Sequence, residues 1–555
     1  MNIKKISSVI LCVLVFASIF LSAQAARAIE LEKAVPADVS AVLFLNYAKN
    51  NFYEKCLKFF NQIATLEDKK STDALREKVG IEFNDPKFLA SIGGVAAVYF
   101  DDMIKTKPSA NENPAAIILK MANKDAFMIN LQNFKAAMSK ESPDNEYSLF
   151  AQKGSLEAEI IEKKDKSEYF AFVVRDDLLI GGFGSKTALN TIGRILETVK
   201  KQDGGLAETP GYKRAISVVS ADTPIYFYLC GDFVKKYAAE ESLLPDLDYV
   251  NGACFSLNVE ADNITADGAI ITDKNNPNNA FTKYFSFEGE QLKAPAMLDN
   301  DTMLYFGGRV HLDPKIIAED KDLKDVKKHI KENLGVDFEK DIMPWAAEEF
   351  FVAFSSYKAL PLPVMPAPKI YFGIKSKDKA ACEKCMQQML PSLNLKDLKK
   401  DTISDINYYF SPVPTPNNIM PEFGLTLAYV NDFLIFASSK DALNPLIAAM
   451  SKPEKSLSLN AEFTKGLGAL LKSSIFTSYY NNALASDFIH SILQMTPEYK
   501  LGELETDVLK LINVVSGGFT FKDAALKFRF TLSVNKEIYN KILSPEWIKK
   551  AGSQK

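Results

Sequence analysis

The stretch that decides the fold is GVDFEKDIMPWAAEEFFVAF, residues 335–354, which has an earlier counterpart in GIEFNDPKFLASIGGVAAVYF, residues 80–100. Each stretch begins at a glycine that ends a helical pattern and continues with alternating apolar and acidic residues. A short helical turn follows, and then a run of apolar residues. Five apolar residues after such a turn are typical of a buried β-strand. The chain therefore uses one structural pattern twice.

Motifs on either side of these stretches recur in the same register. Offsets of 255, 253 and 254 residues separate Gly80 from Gly335, Asp125 from Asp378, and Asn190 from Asn444. Self-similarity at a fixed offset is the signature of repeated architecture. Three separate motifs in one register over a hundred residues predict an internal duplication.

Each copy predicts the element order β-α-β-β-α-β-β-β-α-α-β-α-β-β. Consecutive strands without intervening helices pair antiparallel, and the helices are then expected on one face of the sheet. The predicted fold class is α+β, with two homologous tandem modules, each a mainly antiparallel sheet with helices packed on one face. Residues 1–28 are interpreted as a signal peptide, 29–288 as the first module and 289–555 as the second.

The N-terminal segment has the pattern of a signal peptide. Lys4 and Lys5 precede an apolar run at residues 9–21, and small residues suited to signal peptidase stand at 23–25 and 26–28. As a helix the run covers about 20 Å, less than the ~30 Å hydrocarbon core, so cleavage is favoured and a retained anchor is the alternative. We expect an exported protein, periplasmic, extracellular or associated with the cell envelope, with no membrane span after cleavage.

The charge balance argues against nucleic acid as a partner. The 555-residue chain has 66 Lys and Arg against 70 Asp and Glu, for a formal net charge of −4, and the two signs are interspersed. Nucleic-acid binding needs a basic patch or stripe.

Cysteine use is also thin for an exported chain. An odd number remains after cleavage and cannot form a closed disulfide framework: Cys56, Cys230, Cys254, Cys382 and Cys385.

Several of these motifs resemble those of a bacterial family of exported proteins that carry a domain of unknown function. The resemblance lies in the Pro36-Ala-Asp38 opening, the Gly335-x-Asp-Phe-x-x-Asp341 motif with Pro344-Trp345, and the strand at 431–435. The first copy departs from the pattern, with Ser91-Ile92 in place of Pro-Trp. The resemblance implies an envelope-associated or secreted protein and supplies no catalytic residues.

The stretch Ile180-Gly-Gly-Phe-Gly-Ser-Lys-Thr187 follows a predicted strand and opens a helix, which is the context of a phosphate-binding loop. Ser185 stands where the glycine before the lysine is required, and Ile180 where the first glycine belongs. The second copy has an aspartate, Asp441, which would repel phosphate. A strand-to-helix turn with Ser185 as the N-cap is the favoured interpretation.

Cys382 and Cys385 have the C-x-x-C spacing of redox and metal sites. A tetrahedral site needs two further ligands, and the sequence has no second C-x-x-C and no paired histidines. The two cysteines share a helical stripe with Met386 and Met389, which predicts thiols that face the core. A local disulfide and a metal or redox site stay open as alternatives.

Glu348 and Glu349 suggest paired carboxylates for acid–base chemistry. If both belong to a strand, their side chains point to opposite faces and cannot share one substrate. The sequence has no Gly-x-Ser-x-Gly motif for hydrolysis, and Asn263-Ile-Thr265 is a glycosylation sequon of a kind that is frequent by chance. We therefore assign no catalytic, cofactor-binding or metal-binding residue and expect no cofactor.

Two proline-rich segments, residues 360–368 and 411–421, join predicted strands and carry apolar residues where hairpin loops are usually polar. They either fold back over the sheet edge or form a contact surface for a protein or a hydrophobic ligand.

The sequence thus predicts an exported, non-enzymatic protein that acts in binding or in envelope-associated interaction. The first alternative is a carrier of a lipid or other hydrophobic ligand in a cavity under the sheet. The second is an enzyme whose site cannot be recognised in the sequence. The partner, the ligand and the oligomeric state do not follow from the sequence.

Overall fold

The computed structural model describes residues 31–46, 86–100, 115–139, 147–152, 156–185, 187–201, 204–217, 223–240, 247–260, 263–276, 279–287, 291–314, 323–357, 368–393, 398–412, 423–493, 502–542, 544 and 546–547. The predicted signal peptide and Cys56 lie outside these residues. The chain divides into two compact units. Unit 1 comprises Met1–Val259 and Ala266–Asn278, and unit 2 comprises Glu260–Thr265 and Asn279–Lys555.

The strands of unit 1 form an antiparallel sheet. Along the chain they are β1 (Ala41–Asn46), β2 (Ile92–Tyr99), β3 (Ala115–Met121), β4 (Tyr147–Gln152), β5 (Ala158–Lys163), β6 (Tyr169–Arg175), β7 (Leu178–Phe183), β8 (Ile225–Cys230), β9 (Val250–Val259) and β10 (Asn263–Thr272), of which residues 263–265 belong to unit 2. Their spatial order is β10-β9-β8-β1-β2-β3-β7-β6-β5-β4, and each neighbouring pair from β9 to β4 is antiparallel.

Unit 2 also contains an antiparallel sheet. Its strands are β11 (Leu304–Arg309), β12 (Ala346–Tyr357), β13 (Pro368–Ser376), β14 (Lys399–Ile403), β15 (Ile406–Pro412), β16 (Phe423–Val430), β17 (Phe433–Ser439), β18 (Phe476–Asn481), β19 (Ile512–Lys522) and β20 (Ala525–Val534). Their spatial order is β20-β19-β18-β11-β12-β13-β17-β16-β15-β14. The large antiparallel sheet and the helices confirm the predicted α+β class.

The described helices of unit 1 are α1 (Leu31–Ala34), α2 (Pro86–Leu89), α3 (Lys124–Met138), α4 (Ala188–Lys201), α5 (Pro210–Ile216) and α6 (Gly231–Glu240), with a 3-10 turn at Leu206–Glu208. Those of unit 2 are α7 (Ala280–Phe285), α8 (Leu323–Leu334), α9 (Lys379–Ser392), α10 (Leu443–Ser451), α11 (Ala461–Leu467), α12 (Asn482–Leu493), α13 (Glu503–Lys510) and α14 (Lys536–Ile542). Unit 2 also has 3-10 turns at Ala294–Ala296, Lys440–Ala442, Pro453–Lys455, Leu457–Leu459 and Gly468–Lys472, and the turn before β12 is a π-helix, Phe338–Ile342.

Local sequence explains where these elements begin and turn. Asn123 and Asp378 each follow a strand and accept a hydrogen bond of 3.0 Å from the backbone N–H three residues on, which caps α3 and α9. The β16–β17 turn has two successive residues with positive φ, Asn431 and Asp432. That conformation matches the twist of a two-residue hairpin and is tolerated by Asn and Asp.

The structure has four strands between α3 and α4, and again between α9 and α10, where the sequence predicts three. The strands at the end of the spatial order, β4 and β14, account for the difference. The β14 sequence is KKDTI, and its first four side chains are exposed. A solvated strand that ends a sheet does not need apolar alternation, so its periodicity gives no signal.

The prediction that the helices pack on one face of each sheet is wrong. In β17 of unit 2, Leu434 packs in a cluster with residues of α9, while Ile435 packs with residues of α10 and α11. Neighbouring residues of a strand point to opposite faces, so helices cover both faces. The reason is visible in the strand itself, since FLIF is apolar at every position, as expected of a strand buried on both sides.

Unit 1 has the same arrangement. Leu179 of β7 packs with Phe127 and Leu131 of α3. Gly182, on the other face, lies against the start of α4, where a Cβ atom would stand 2.5 Å from the carbonyl oxygen of Ala188. The glycine thus permits a close approach of helix and sheet.

We predict that Gly182→Ala lowers the free energy of unfolding by about 1–3 kcal/mol, because the new methyl group meets backbone atoms that move only with α4. Gly193→Ala is the matched control. That position lies in α4, and an added methyl group would have no atom within 4 Å, so alanine should raise stability by about 0.5–1 kcal/mol. Urea denaturation of both variants measures the difference, and equal effects at the two positions would contradict the packing argument.

Candidate functional site

The glycine-rich stretch at 180–187 is occupied by packing and turn contacts. Ile180, Gly181 and Gly182 lie inside β7, and a Cβ at Gly181 would collide with the ring of Phe170. The backbone N–H groups of Thr187 and Ala188 donate to the carbonyl oxygen of Gly184, at 3.2 and 2.9 Å. These N–H groups are therefore not directed at a phosphate. Lys186 lies outside the described residues.

The two cysteines of the C-x-x-C motif face the core, as predicted. Cys382 and Cys385 are buried free thiols on α9, packed in a cluster with Trp345, Met386 and Met389. Burial raises the pKa of Cys382 to about 12 and also raises the pKa of Cys385. A thiol with a raised pKa is a poor nucleophile and a poor metal ligand. In the described part of the chain, no group of three or more His, Cys, Asp or Glu residues could hold a metal ion.

Glu348 and Glu349 of β12 have different surroundings. The Glu348 side chain is 41% exposed and its Oε1 atom lies 2.7 Å from Nδ1 of His311, whereas the Glu349 side chain is 2% exposed. The two side chains therefore point to opposite faces of β12, as the alternation of side chains along a strand predicts.

Glu349 is the centre of a buried charge cluster. Its Oε1 atom accepts hydrogen bonds from the backbone N–H groups of Lys293, at 2.6 Å, and Ala294, at 2.8 Å. Its Oε2 atom lies 3.9 Å from Nη2 of Arg309 in β11 and 3.8 Å from Nζ of Lys375 in β13. Burial raises the pKa of the carboxyl, and the two N–H donors and two cations oppose that rise. The cluster fixes residues 293–294 to three neighbouring strands.

Unit 1 replaces most of this cluster by apolar packing. Gly94 pairs with Asn46 in β1, just as Glu349 pairs with Arg309 in β11. The space above Gly94 is taken by Leu31, whose Cδ1 would lie 3.0 Å from an added Cβ. Lys120 is buried and forms an ion pair with Asp177, and burial lowers its pKa. A buried charge needs a compensating partner, so it is physically consistent that unit 1 lacks both the acid and the arginine at these positions.

The candidate functional site of unit 2 is on the opposite face of the sheet from Glu349. The strand register aligns Phe530, Gly517, Ser478, Phe306, Val352 and Phe372 in one row across six neighbouring strands. At about 4.8 Å between strands, the row is about 24 Å long. Phe306 is 44% exposed, Phe372 39% and Phe530 49%. Leu304, on the same face two residues before Phe306, is 38% exposed.

The neighbouring row is also aromatic and supports the first. The ring centroid of Phe476 lies 5.6 Å from that of Phe306, 5.8 Å from Phe350 and 4.7 Å from Phe519. Aromatic pairs at these separations are favourable beyond the area they bury. We name the surface formed by Leu304, Phe306, Phe350, Phe372, Phe476 and Phe530 the aromatic face.

Residues 279–287, which we name the strap, lie against Phe476 of the aromatic face and against Phe519 beside it. Phe285 of α7 contacts Phe476 and Phe519, with centroid distances of 5.7 and 5.9 Å. At the end of the strap, the Phe287 ring stacks on the imidazole of His311 at 4.3 Å. The strap therefore covers one side of the β18–β19 aromatic pair.

Sequence reasoning did not identify the aromatic face. Its signal is the alternation of Leu304 and Phe306 with the buried Tyr305, which is easily interpreted as an ordinary strand that contributes to the core on both sides.

The proline-rich segments singled out earlier lie outside the described residues, apart from Pro368, Ser411 and Pro412. No described helix is both long and apolar enough to cross a membrane.

One family model matches part of the chain. Residues 318–550 match the model of a family described as a protein of unknown function (DUF3352), which confirms over those residues the resemblance to a domain of unknown function. No curated protein matches the chain.

Among solved structures, crystal forms III, I and IV of TP0453 are similar to part of the chain. Sequence identities are 10, 10 and 11%, and TM-scores are 0.26, 0.24 and 0.24. The matches cover 45, 45 and 43% of this chain and 82, 81 and 79% of TP0453.

The buried carboxyl of Glu349 should make stability depend on pH. Because its pKa is raised in the folded state, its contribution is fully present below the unfolded value of about 4.3 and is lost as pH rises through the folded pKa. We predict that wild-type stability falls relative to Glu349→Gln between pH 4 and 8, as measured by urea denaturation at each pH. Parallel pH profiles for the two proteins would show that the carboxyl is not perturbed by burial.

The buried thiols should resist alkylation in the folded protein. We predict that iodoacetamide at pH 8 leaves Cys382 and Cys385 unmodified for hours, because both are buried and held as thiols. The same reagent in concentrated urea should label both within minutes, as measured by peptide mass spectrometry. Rapid labelling of the folded chain would mean that α9 does not pack as described.

Proposed function

We propose that this chain is an exported, non-enzymatic binding protein that engages a protein partner through the aromatic face of unit 2. The observation that carries the proposal is a row of residues across six strands that contains three half-exposed phenylalanines, Phe306, Phe372 and Phe530. Soluble proteins rarely expose contiguous apolar surface of this kind unless it is a site of interaction. Aromatic residues are also enriched in the energetically dominant parts of protein interfaces.

The filled interior of unit 2 favours a protein partner over a carried ligand. Tyr305, Phe351, Tyr371, Phe463 and Tyr479 are fully buried on the face opposite the aromatic face. A lipid carrier would need a cavity under the sheet, and large side chains occupy that position. The aromatic face itself is an open row of rings, which suits a complementary apolar surface.

We also infer that the two units arose by duplication. Each sheet has the same spatial order, with β1 to β10 of unit 1 taking the places of β11 to β20 in unit 2. The recurrence of sequence motifs at offsets of 253–255 residues supports the same inference. The charged cluster around Glu349 then distinguishes the second copy from the first.

Site-specific photocrosslinking tests the binding function. p-Benzoylphenylalanine replaces Phe306 in the cell that makes the protein, and the control replaces Leu459, which is 62% exposed in the same unit. We expect a discrete protein adduct from position 306 and none from 459. Phe530→Ser should weaken that adduct because a buried phenylalanine contributes about 1.5–3 kcal/mol, about tenfold or more in affinity.

Two outcomes would contradict the proposal. An adduct with the mass of a lipid would indicate a carrier of hydrophobic ligands. Equal adducts from positions 306 and 459, or none from either, would mean that the aromatic face has no specific partner. Circular dichroism of each variant should stay unchanged, because the substituted side chains are half-exposed and outside the core clusters.

A further inference from the structure

We propose that His311 is a pH-sensitive clasp that holds the strap, residues 279–287, against the aromatic surface of unit 2 and so regulates access to it. This proposal rests on the binding function proposed for the aromatic face. It is carried by the position of one imidazole between a strand and the strap.

Both ring nitrogens of His311 face acceptors. Nδ1 lies 2.7 Å from Oε1 of Glu348 on β12, and Nε2 lies 2.8 Å from the carbonyl oxygen of Ser286 in the strap. A neutral imidazole has one N–H, whereas the imidazolium donates from both nitrogens. The two observed contacts can therefore both be hydrogen bonds only when the ring is protonated.

A neutral His311 ring can donate a hydrogen bond to only one of its two neighbouring acceptors, the Glu348 carboxylate or the Ser286 carbonyl oxygen. Glu348 is the charged group that contacts His311 in the described part of the chain, and a hydrogen bond to a charged group is the stronger one. Neutral His311 is thus expected to donate from Nδ1 to Glu348. The Nε2 lone pair then points at the Ser286 oxygen and repels it, which loosens the end of the strap.

The position of the clasp connects protonation to the aromatic surface. The backbone N–H of His311 donates to the carbonyl oxygen of Tyr284 at 3.1 Å, and Phe287 stacks on the imidazole. Phe285, between them, contacts Phe476 and Phe519. Release of residues 284–287 would expose these two rings beside Phe306 and Phe350. Histidine changes charge between pH 5 and 8, so the exposed apolar area should rise with pH over that range.

Two measurements on the full chain between pH 5 and 8 test this inference. The first is the amide-exchange protection of residues 280–287, and the second is the affinity for Nile red, a neutral apolar probe. As pH rises we expect strap protection to fall and Nile red affinity to rise by up to about fivefold. That factor corresponds to the ~1 kcal/mol net contribution of one intramolecular hydrogen bond, the contact between His311 and the Ser286 carbonyl oxygen.

The matched variants are His311→Gln and His329→Gln. His329 is an exposed residue of α8 with Glu332 3.9 Å away, so it keeps the histidine–glutamate pairing without contact to the strap. We expect the pH dependence to disappear in His311→Gln and to persist in His329→Gln.

The outcomes separate the clasp from the binding function. A change in strap protection that depends on His311, with no Nile red binding at any pH, would support the clasp and count against the aromatic face as a binding surface. Constant strap protection while the His311 ring titrates by NMR would overturn the clasp, as would pH dependence that survives in His311→Gln.

Discussion

The alternation of side chains along β12 is the constraint on which the rest of unit 2 depends. Successive residues of a strand must point to opposite faces, and this strand is apolar at both sets of positions from Phe350 to Phe354. Phe351 and Ala353 enter the core with the helices α10 and α11, while Phe350 faces the other side with Phe476. A sheet built around such a strand needs cover on both faces. Helix α9 provides that cover beside β17, and the aromatic face extends beyond it.

The surroundings of Glu349 show that one strand order can accommodate either a buried charge with its partners or apolar packing. In unit 2 the carboxylate accepts two backbone N–H groups and lies near Arg309 and Lys375. In unit 1 the corresponding strand has Gly94, and Leu31 takes up the space. Removing one member of a buried ion cluster leaves an uncompensated charge, whereas replacing the group with apolar packing is often neutral. The two units therefore differ in the charged group and in its partners together.

Glu348 and Glu349 also explain why a pair of acidic residues in a sequence is weak evidence for catalysis. The strand places one carboxylate in a buried structural cluster and the other beside His311 near the strap. The two neighbouring carboxylates of the sequence thus make separate contacts on the two faces of the strand. Glu349 holds residues 293–294 on one face. On the other face, Glu348 contacts His311, which in turn contacts the strap.

The helical stripe of Cys382, Cys385, Met386 and Met389 could be predicted from the sequence because helical periodicity depends on local geometry. The α+β class could be predicted for a similar reason, since runs of strands without helices must pair antiparallel. The exposed strand β14 could not be predicted from the sequence, because its charged residues show no apolar alternation.

The sequence by itself determined the repeated pattern, the antiparallel character and the core-facing cysteines, all of which depend on residues near one another in the chain. Only the tertiary structure decided which helices cover which face, and which side chains form a row across six strands. Phe306 and Phe530 are far apart in the sequence and become part of one surface only through strand register. Register depends on many weak cross-strand pairs over the whole sheet. It therefore cannot be predicted from any one local stretch of sequence.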